Sequence, residues 1–178
     1  SNFLRHPNML GSVIPSSRHL VDRVLDRVAW PKARVIVEYG PGVGTFSQAI
    51  LDRLPADGTY IAIDTNPDFI EYLRIKFTDS RFIPVHGSAA DVEKIIAEHG
   101  FEQADYVLSG LPFSTLPKGV APAIAAATHR VLKTGGAFLV YQFRPKVRDF
   151  LEPHWDRIDY SIEWWNIPPS HNFFAWKD

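Results

Sequence analysis

Val35-Ile-Val-Glu-Tyr-Gly-Pro-Gly-Val-Gly-Thr-Phe46 is the stretch that decides the fold of this chain. An apolar run rich in β-branched residues reaches Glu38, glycines follow at alternate positions, and the next residues have the pattern of a helix. Strand, glycine turn and helix in this order are typical of the first unit of a Rossmann-like nucleotide site. Because glycine has no Cβ, we expect backbone at Gly40, Gly42 and Gly44 to approach a ligand closely.

The spacing of the glycines discriminates between ligands. A dinucleotide fingerprint G-x-G-x-x-G would need a glycine or a small residue at position 45, where Thr45 stands. The observed E-x-G-x-G-x-G, beginning at Glu38, resembles the first motif of S-adenosylmethionine-dependent methyltransferases. Asp64 ends the β-rich run 59–64, where a carboxylate accepts hydrogen bonds from ribose hydroxyls. The alternative is an ordinary turn, with Asp64 capping the helix after Asn66.

Composition bounds the function classes. The 178 residues, 46% of them hydrophobic, suit one domain over 1–178, with 1–30 as an N-terminal lid and helix segment. No second domain remains for the substrate of a two-domain dehydrogenase. A net charge of −1 argues against a large nucleic-acid interface. The absence of cysteine excludes disulfides and thiolate metal sites, and no apolar run reaches the length of a membrane span.

Strand and helix patterns alternate along the chain. They predict an α/β fold, a single Rossmann-like methyltransferase domain with a mostly parallel seven-stranded sheet, an antiparallel C-terminal hairpin strand, and helices on both faces. The predicted strands cover about 34–39, 59–64, 81–85, 104–108, 136–142, 157–165 and 172–176. The predicted helices cover about 16–29, with Ser16 or Ser17 as cap, and 44–54, 67–76, 90–99, 117–132 and 146–152.

Ligands of such folds bind at the carboxyl ends of the strands, so the residues that follow each strand are candidates. After strand three, Ser88 and Ala89 are expected to frame an adenine ring, and Asp91 to cap the next helix. After strand four, the small residues of Ser109-Gly-Leu-Pro-Phe113 leave room for a ligand. We place Ser109 and Leu111 with the cofactor and expect Phe113 to hold a methylated cation by cation–π attraction.

Further motifs narrow the resemblance. They are Pro15-Ser16-Ser17, Ser109 to Phe113, Gln142-Phe143 and Asn166-Ile167-Pro168-Pro169. With the glycine turn, and in this order over nearly the whole chain, they resemble the bacterial phospholipid N-methyltransferases. Two positions depart from that pattern. Arg144-Pro145 stands where a Thr-Tyr pair is expected, and Ser170-His171 where a small residue precedes a basic one.

The resemblance implies a cofactor, a substrate and a location. The cofactor would be S-adenosylmethionine, leaving as S-adenosylhomocysteine, without a metal. The substrate would be phosphatidylethanolamine, and in turn its mono- and dimethyl products, toward phosphatidylcholine. Gln142, Arg144 and Asn166 are assigned to substrate binding. Tyr141 and His171 are candidates to receive the amine proton. The alternatives are that Tyr141 is a core residue and that His171 is merely exposed on a loop. The protein would be cytoplasmic and peripheral on the inner membrane face, attracted by anionic lipids.

Two other classes of function remain open. The ribosomal RNA adenine dimethyltransferases are similar in pattern, but carry Asn-Leu-Pro-Tyr or Asn-Leu-Pro-Phe where this chain has Gly110 in the Asn position. The acceptor of that alternative would be an RNA adenine or another small amine. The remaining alternative is a cofactor-binding module without catalysis. The basic residues Arg144, Lys146 and Arg148 would meet a lipid phosphate, or else form a solvated helix face.

Aromatic residues concentrate near the C-terminus. Adjacent Trp164 and Trp165 must face opposite sides of a regular strand, so we expect at least one to point outward as a membrane-interface anchor. Packing on the sheet is the alternative. Apolar residues of segment 3–14 are a second candidate for lipid contact, or for a lid over the cofactor.

Overall fold

The computed structural model describes residues 17–178 and forms one seven-stranded sheet in the order β3-β2-β1-β4-β5-β7-β6. Strands β1 to β5 are parallel to their neighbours, and β7 lies antiparallel between β5 and β6. This confirms the predicted α/β class and its antiparallel hairpin strand. The strands are β1 Val35–Tyr39, β2 Thr59–Asp64, β3 Phe82–His86, β4 Ala104–Ser109, β5 Leu132–Gln142, β6 Arg157–Glu163 and β7 Ser170–Trp176.

Helices cover both faces of the sheet. They are α1 Arg18–Leu25, α2 Ser47–Arg53, α3 Pro67–Lys76, α4 Val92–Glu98, α5 Val120–Val131 and α6 Arg148–Leu151. Residues such as Leu20, Ile50 and Ile70 join α1, α2 and α3 to one buried cluster. Ile96, Ile124 and Leu151 join α4, α5 and α6 to the other. The sheet is therefore the middle of three layers.

Strand β1 lies at the centre of the sheet, and every one of its residues is buried. A parallel strand covered on both faces reads as a continuous apolar run, and this explains why the sequence identified it readily. The strand ends where Gly40 takes a positive φ of 67° and donates its N–H to Ile63 O at 2.9 Å. The chain then turns at the carboxyl edge of the sheet, toward α2.

Several predicted boundaries move. The helix predicted over 16–29 has its α-helical part in Arg18–Leu25, because the chain then tightens into turns and the indole of Trp30 donates to Leu25 O. The predicted helix 117–132 begins at Val120, after Gly119 in the left-handed conformation. Strand β5 takes up Leu132 onward, with a register shift against β4. The terminal strands end and begin two residues from their predicted positions, leaving 164–169 as the hairpin tip.

The N-terminal expectations fall mostly outside the described residues. Segment 3–14, its proposed lid or lipid contact, Pro15 and the Ser16 cap all lie there. Ser17 does cap α1, accepting the N–H of Leu20 on its hydroxyl at 3.2 Å. Between residues 17 and 178, no helix is both long and apolar enough to cross a membrane.

Candidate active site

A cleft of about 560 Å³ opens at the carboxyl edge of β1, β2, β3 and β4. Seven of the predicted site residues line it: Gly40, Gly42, Asp64, Ser88, Ala89, Leu111 and Tyr141. The prediction missed other lining residues, which are Pro41, Thr45, Ile63, Thr65, Asn66, Phe69, Gly87, Gly110, Pro112, Leu116, Pro117, Val120 and Ile124. Six of these thirteen residues follow a strand end within three positions, namely Pro41, Thr65, Asn66, Gly87, Gly110 and Pro112, so reading farther into each loop would have found those six.

The three glycines of the turn have different roles. Gly40 and Gly42 line the cleft with positive φ angles, and a Cβ on Gly40 would lie 2.8 Å from Leu111 Cδ2. Gly44 does not line the cleft. A Cβ there would lie 2.7 Å from the ring of Phe77 and 2.9 Å from Leu73, so this glycine lets the turn pack against α3. This packing role is what the structure shows for Gly44, and its expected contact with a ligand stays a prediction.

Asp64 lies on the cleft at the end of β2. Its carboxylate accepts the N–H of Asn66 at 2.9 Å and that of Gly42 at 3.3 Å, which ties the second strand to the glycine turn. Burial raises the pKa of this carboxyl, while the two backbone hydrogen bonds oppose the rise. The cap of α3 is the side chain of Asn66, which accepts the N–H of Asp68 at 2.9 Å. Asp64 is thus held in place with its carboxylate at the cleft.

Glu38 lies behind the turn, buried, and does not line the cleft. The hydroxyl of Tyr60 donates to it, and Tyr60 is also hydrogen-bonded to the Ser47 hydroxyl at 3.0 Å. Desolvation raises the pKa of Glu38 to about 8, against the lowering effect of the Tyr60 hydrogen bond. Glu38 was predicted to contact the cofactor. In the structure Glu38 forms a buried link between β1, β2 and the start of α2, and its contact with the cofactor stays a prediction.

The loop after β4 is held by two polar side chains that point away from the cleft. Ser109 is buried and accepts the N–H of Leu111 on its hydroxyl at 3.2 Å. The side-chain amide of Gln142 donates to the carbonyl of Leu111 and to that of Tyr141 at 3.0 Å. Ser109 and Gln142 were assigned to ligand contacts, and neither lines the cleft. They position Leu111, which does line it.

Phe113 is a further correction. Its side chain is only 2% exposed and packs at 6.4 Å, edge to face, against Phe138 in the core beneath α5. It does not line the cleft, so it offers no ring face to a cation there. The loop backbone determines that Leu111 lines the cleft whereas Phe113 points into the core. The sequence carries no signal for this difference.

Tyr141 lies where β5 meets the cleft, with its ring stacked on Phe46 at 4.9 Å. Its hydroxyl lies directly over Gly110, since a Cβ built on that glycine would be 2.2 Å from the hydroxyl oxygen. Any side chain at position 110 would collide with it. Gly110 is therefore the partner that makes room for Tyr141.

The remaining predicted residues lie elsewhere. His171 stacks on Tyr160 with ring centroids 5.8 Å apart, and the Tyr160 hydroxyl is hydrogen-bonded to its Nδ1. In the sheet His171 is paired with Gln142, so it shares the face of Gln142 and not that of Tyr141, which faces the opposite way. Asn166 is buried and accepts the N–H of Ser17 at 2.6 Å. The structure thus shows His171 in a ring pair and Asn166 in a structural link, outside the cleft lining, and their predicted site roles stay predictions.

Arg144 lies in a second groove, of about 640 Å³, with Pro145, Lys146, Arg148, Asp149, Tyr160 and Phe173. We call this the basic groove. Arg144 and Lys146 follow β5 after its end at Gln142, so the groove begins at the same edge of the sheet as the cleft. Its cations are separate from the cleft lining, and the assignment of Arg144 to substrate binding stays a prediction.

The cleft residues fit a nucleoside cofactor of the predicted kind. Positive-φ glycine backbone offers close approach, Asp64 offers a carboxylate to a diol, and Leu116, Val120 and Ile124 provide apolar wall. The assignments of Asp64 to ribose and of Ser88 and Ala89 to adenine stay predictions. Within the described part of the chain, no group of three or more His, Cys, Asp or Glu residues is arranged as a metal site.

Comparison with known proteins gives consistent matches. Residues 36–136 match the family described as "Methyltransferase domain". The chain is 33% identical over 175 residues to an ornithine lipid N-methyltransferase of Singulisphaera acidiphila, covering 97% of this chain and 91% of that protein.

Two further matches are more distant. A ribosomal RNA small subunit methyltransferase A of Mycoplasma mycoides is 24% identical over 110 residues, which are 57% of this chain and 40% of that protein. A crystal structure of precorrin-6y C5,15-methyltransferase from Geobacter metallireducens superposes with a TM-score of 0.72 at 19% identity, covering 91% of this chain and 90% of that one. The latter establishes likeness of fold.

Proposed function

Because this chain belongs to the S-adenosylmethionine-dependent methyltransferase family, we propose that it transfers the methyl group to the amine of a membrane lipid. The match to a lipid N-methyltransferase over nearly the whole of both chains supports a lipid acceptor. The match to a ribosomal RNA methyltransferase covers less than half of that protein and gives weaker support to an RNA acceptor.

The observation that carries the proposal is the contact between Gly110 and Tyr141. In the RNA adenine dimethyltransferases the corresponding Asn offers a carboxamide to the amine of a flipped base. Here the Tyr141 hydroxyl occupies the space that a side chain at position 110 would need, because a Cβ on Gly110 would lie 2.2 Å from the hydroxyl oxygen. The cleft is thus built without that carboxamide. A phenol hydroxyl beside small backbone groups suits a flexible aliphatic amine better than a planar base.

The acceptor we propose first is phosphatidylethanolamine, followed by its mono- and dimethyl products. Its phosphate is complemented by the cations of the basic groove, which begins at the same edge of the sheet. The second candidate is the amine of an ornithine lipid, which the named relative favours. Both lipids present a primary amine at a membrane surface.

In this reaction the protein contributes mainly by orienting and desolvating the acceptor amine. Bound S-adenosylmethionine would supply a methyl group on a positively charged sulfur. The amine must arrive neutral, although its pKa in water is about 10. Apolar walls formed by Leu116, Val120 and Ile124 disfavour the charged amine and lower its pKa. We assign to the Tyr141 hydroxyl, which lines the cleft, the role of accepting a hydrogen bond from the amine and so orienting its lone pair.

The decisive experiment uses methyl-labelled S-adenosylmethionine with vesicles of phosphatidylethanolamine, vesicles of ornithine lipid, and ribosomal RNA in parallel. We expect label in an amino lipid and none in RNA. Label in ornithine lipid alone would replace the first acceptor by the second. Label in RNA alone would overturn the lipid proposal, and binding of the cofactor without label in any acceptor would favour a module without catalysis.

A variant tests the acceptor side of the cleft. Tyr141→Phe keeps the ring on Phe46 and removes only the hydroxyl. We expect kcat on the amino lipid to fall about tenfold or more, as for loss of one hydrogen bond of about 1.4 kcal/mol, while the Kd for S-adenosylmethionine stays within twofold. Wild-type kcat in the variant would remove Tyr141 from the acceptor site.

A further inference from the structure

The hairpin tip, residues 164–169, exposes the large apolar side chains of the terminal hairpin. Trp164 is 70% exposed, Trp165 is 76% exposed and Ile167 is 87% exposed. Three such residues therefore fall within four positions of one loop. A cluster of this kind on a surface marks a place of contact with another apolar partner.

The tip is held firmly from below by buried polar side chains. The Glu163 carboxylate accepts the Nε–H of Arg23 at 2.7 Å and the N–H of Trp165 at 3.1 Å. Asn166, almost fully buried, accepts the N–H of Ser17 and donates to Pro168 O at 2.9 Å. At the tip the polar side chains of Glu163 and Asn166 are therefore buried, whereas the rings of Trp164 and Trp165 are exposed. Such an arrangement presents the rings without requiring the loop to fold on contact.

The tip lies on the edge of the sheet that carries the cleft. Strand β7 is antiparallel to β5, and His171 near its start is paired with Gln142 at the end of β5. Strand β6 runs parallel to β5 and reaches its end at Glu163, opposite Ser170. Residues 164–169 therefore extend beyond the carboxyl ends of the strands, in the direction in which the cleft opens.

The same edge carries an excess of positive charge, since the basic groove holds three cationic side chains and one acidic one. Arg144 and Lys146 of the basic groove are exposed and form no ion pair with any residue of 17–178. Arg148 is 3.6 Å from Glu152, and Asp149 is the acidic member of the groove. Apolar rings beside unpaired cations complement a surface that offers acyl chains beneath anionic headgroups.

We propose that the hairpin tip docks on a phospholipid bilayer, with Trp164, Trp165 and Ile167 in the interface and the basic groove over anionic headgroups. This inference rests on the proposed lipid acceptor, and it explains how a cleft on that edge would meet an amine that stays in the membrane. Tryptophan suits the position because its ring is apolar and its N–H can remain hydrated.

The test compares two apolar surface variants in co-sedimentation with vesicles of phosphatidylethanolamine and phosphatidylglycerol. The first is Trp164→Ala, Trp165→Ala and Ile167→Ala together. The matched control is Ile75→Ala, because Ile75 is 74% exposed but lies near the end of α3, which leads away from the cleft edge. We expect the triple variant to lose at least tenfold in vesicle partition, with an unchanged unfolding temperature, and the control to match the wild type.

The charge component has its own pair of variants. Lys146→Gln should weaken binding to anionic vesicles about fivefold, which corresponds to about 1 kcal/mol. Lys32→Gln, an exposed lysine before β1 at the opposite edge, should leave it unchanged. Raising the salt concentration should abolish the difference between Lys146→Gln and the wild type, because surface attraction is screened.

Activity separates this inference from the proposed function. On a short-chain phosphatidylethanolamine below its critical micelle concentration, the triple variant should keep wild-type kcat/KM, while on vesicles it should lose at least tenfold. If neither protein methylates any amino lipid, the proposed function fails, whatever the vesicles show. Vesicle binding equal to wild type in the triple variant overturns the docking inference. A wild-type dimer that becomes monomeric in the triple variant also overturns it, because the tip would then be an interface between copies.

Discussion

Asp64 is the residue whose side chain most directly links the sequence pattern to a ligand. It lies on the cleft and is oriented by backbone N–H groups of Gly42 and Asn66. Asp64→Asn keeps the shape and removes the charge, so we expect the Kd for S-adenosylmethionine to rise about tenfold to a hundredfold, as for loss of a charged hydrogen bond of about 1.5–3 kcal/mol. Calorimetric titration measures this.

The matched control for that measurement is Asp68→Asn, because Asp68 is a nearby carboxylate in the first turn of α3. Asp68 does not line the cleft. Its variant should bind the cofactor like the wild type. Equal affinities in both variants would mean that Asp64 does not contact the ribose.

Gly110 is fixed by its neighbour across the cleft. In Gly110→Ala the new methyl would fall 2.2 Å from the Tyr141 hydroxyl, and Tyr141 cannot retreat because it is buried against Phe46. We expect a loss of about 1–3 kcal/mol in the free energy of unfolding, as for overpacking of a tight site. Urea denaturation measures the loss.

A second glycine of the cleft serves as the reference. A Cβ on Gly87 would lie 3.1 Å from the terminal Cδ1 of Ile95, which can shift by a few tenths of an ångström, and at an ordinary contact distance of 3.9 Å from Ile63 Cγ2. Gly87→Ala should therefore cost less than Gly110→Ala. The reverse order would show that Tyr141 moves more freely than its packing indicates.

Side-chain direction explains which residue roles could be predicted. Asp64 and Gly40 were placed on the cleft by strand ends and glycine spacing, which are visible in sequence. Phe113 and Gln142 also lie near strand ends. Phe113 is nevertheless buried in the core, and the side chain of Gln142 donates to the carbonyl of Leu111. Whether a residue after a strand faces the ligand depends on the loop backbone, and neither periodicity nor composition records it.

At the scale of elements, the terminal hairpin joins α1 to the sheet through Asn166. Its amide accepts the N–H of Ser17 at the start of α1 and donates to Pro168 O within the tip. Asn166→Ala would leave both backbone groups without these partners, and we expect a loss of about 1–3 kcal/mol in the free energy of unfolding. Differential scanning calorimetry measures the shift.

A conservative variant assigns the effect to single hydrogen bonds. Asn166→Asp keeps the acceptor for Ser17 but buries a carboxylate oxygen against Pro168 O, so its stability should fall below that of the wild type and rise again when the carboxyl is protonated at low pH. Because Asn166 does not line the cleft, cofactor affinity should change in neither variant. Weakened cofactor binding with full stability would contradict the structural role assigned here.

Element boundaries show where sequence patterns stop being informative. The apolar spacing of Leu20, Val21, Val24 and Leu25 correctly identified a helix, but its continuation through Val28 suggested four residues too many. Val28 is buried by turns tied to Trp30, so burial persisted after the helix ended. The prediction extended β6 through Trp165, whereas the strand ends at Glu163, whose carboxylate accepts the N–H of Trp165 in the turn.

At the scale of the whole molecule, the alternation of strands and helices predicted the mostly parallel sheet, and the structure supplied the order of its strands. The buried centre of the sheet carries a consequence that the sequence did not suggest. Glu38 on the central strand β1 has its pKa raised from 4.5 to about 8 by burial. At neutral pH the folded chain therefore favours a protonated carboxyl beneath the glycine turn.

This buried proton should make global stability depend on pH. Between pH 4.5 and about 8 the folded state holds a proton on Glu38 that the unfolded state releases, so unfolding is favoured as the pH rises through that window. The stabilising effect is complete below pH 4.5 and is lost by about pH 8. The loss approaches about 1.4 kcal/mol per pH unit inside the window. Asp64, whose pKa is also raised, contributes in the same direction.

Glu38→Gln isolates the contribution of Glu38, because glutamine keeps the shape, still accepts the hydrogen bond from Tyr60, and does not titrate. Urea denaturation of both proteins from pH 5 to 8 gives the free energy of unfolding of each. We expect the wild type to lose stability relative to the variant at each step, since contributions from Asp64 and from other groups appear in both proteins and cancel in the difference. A difference that stays constant over that range would mean that Glu38 is ionised throughout, and that the central strand carries a charge directly behind the glycine turn.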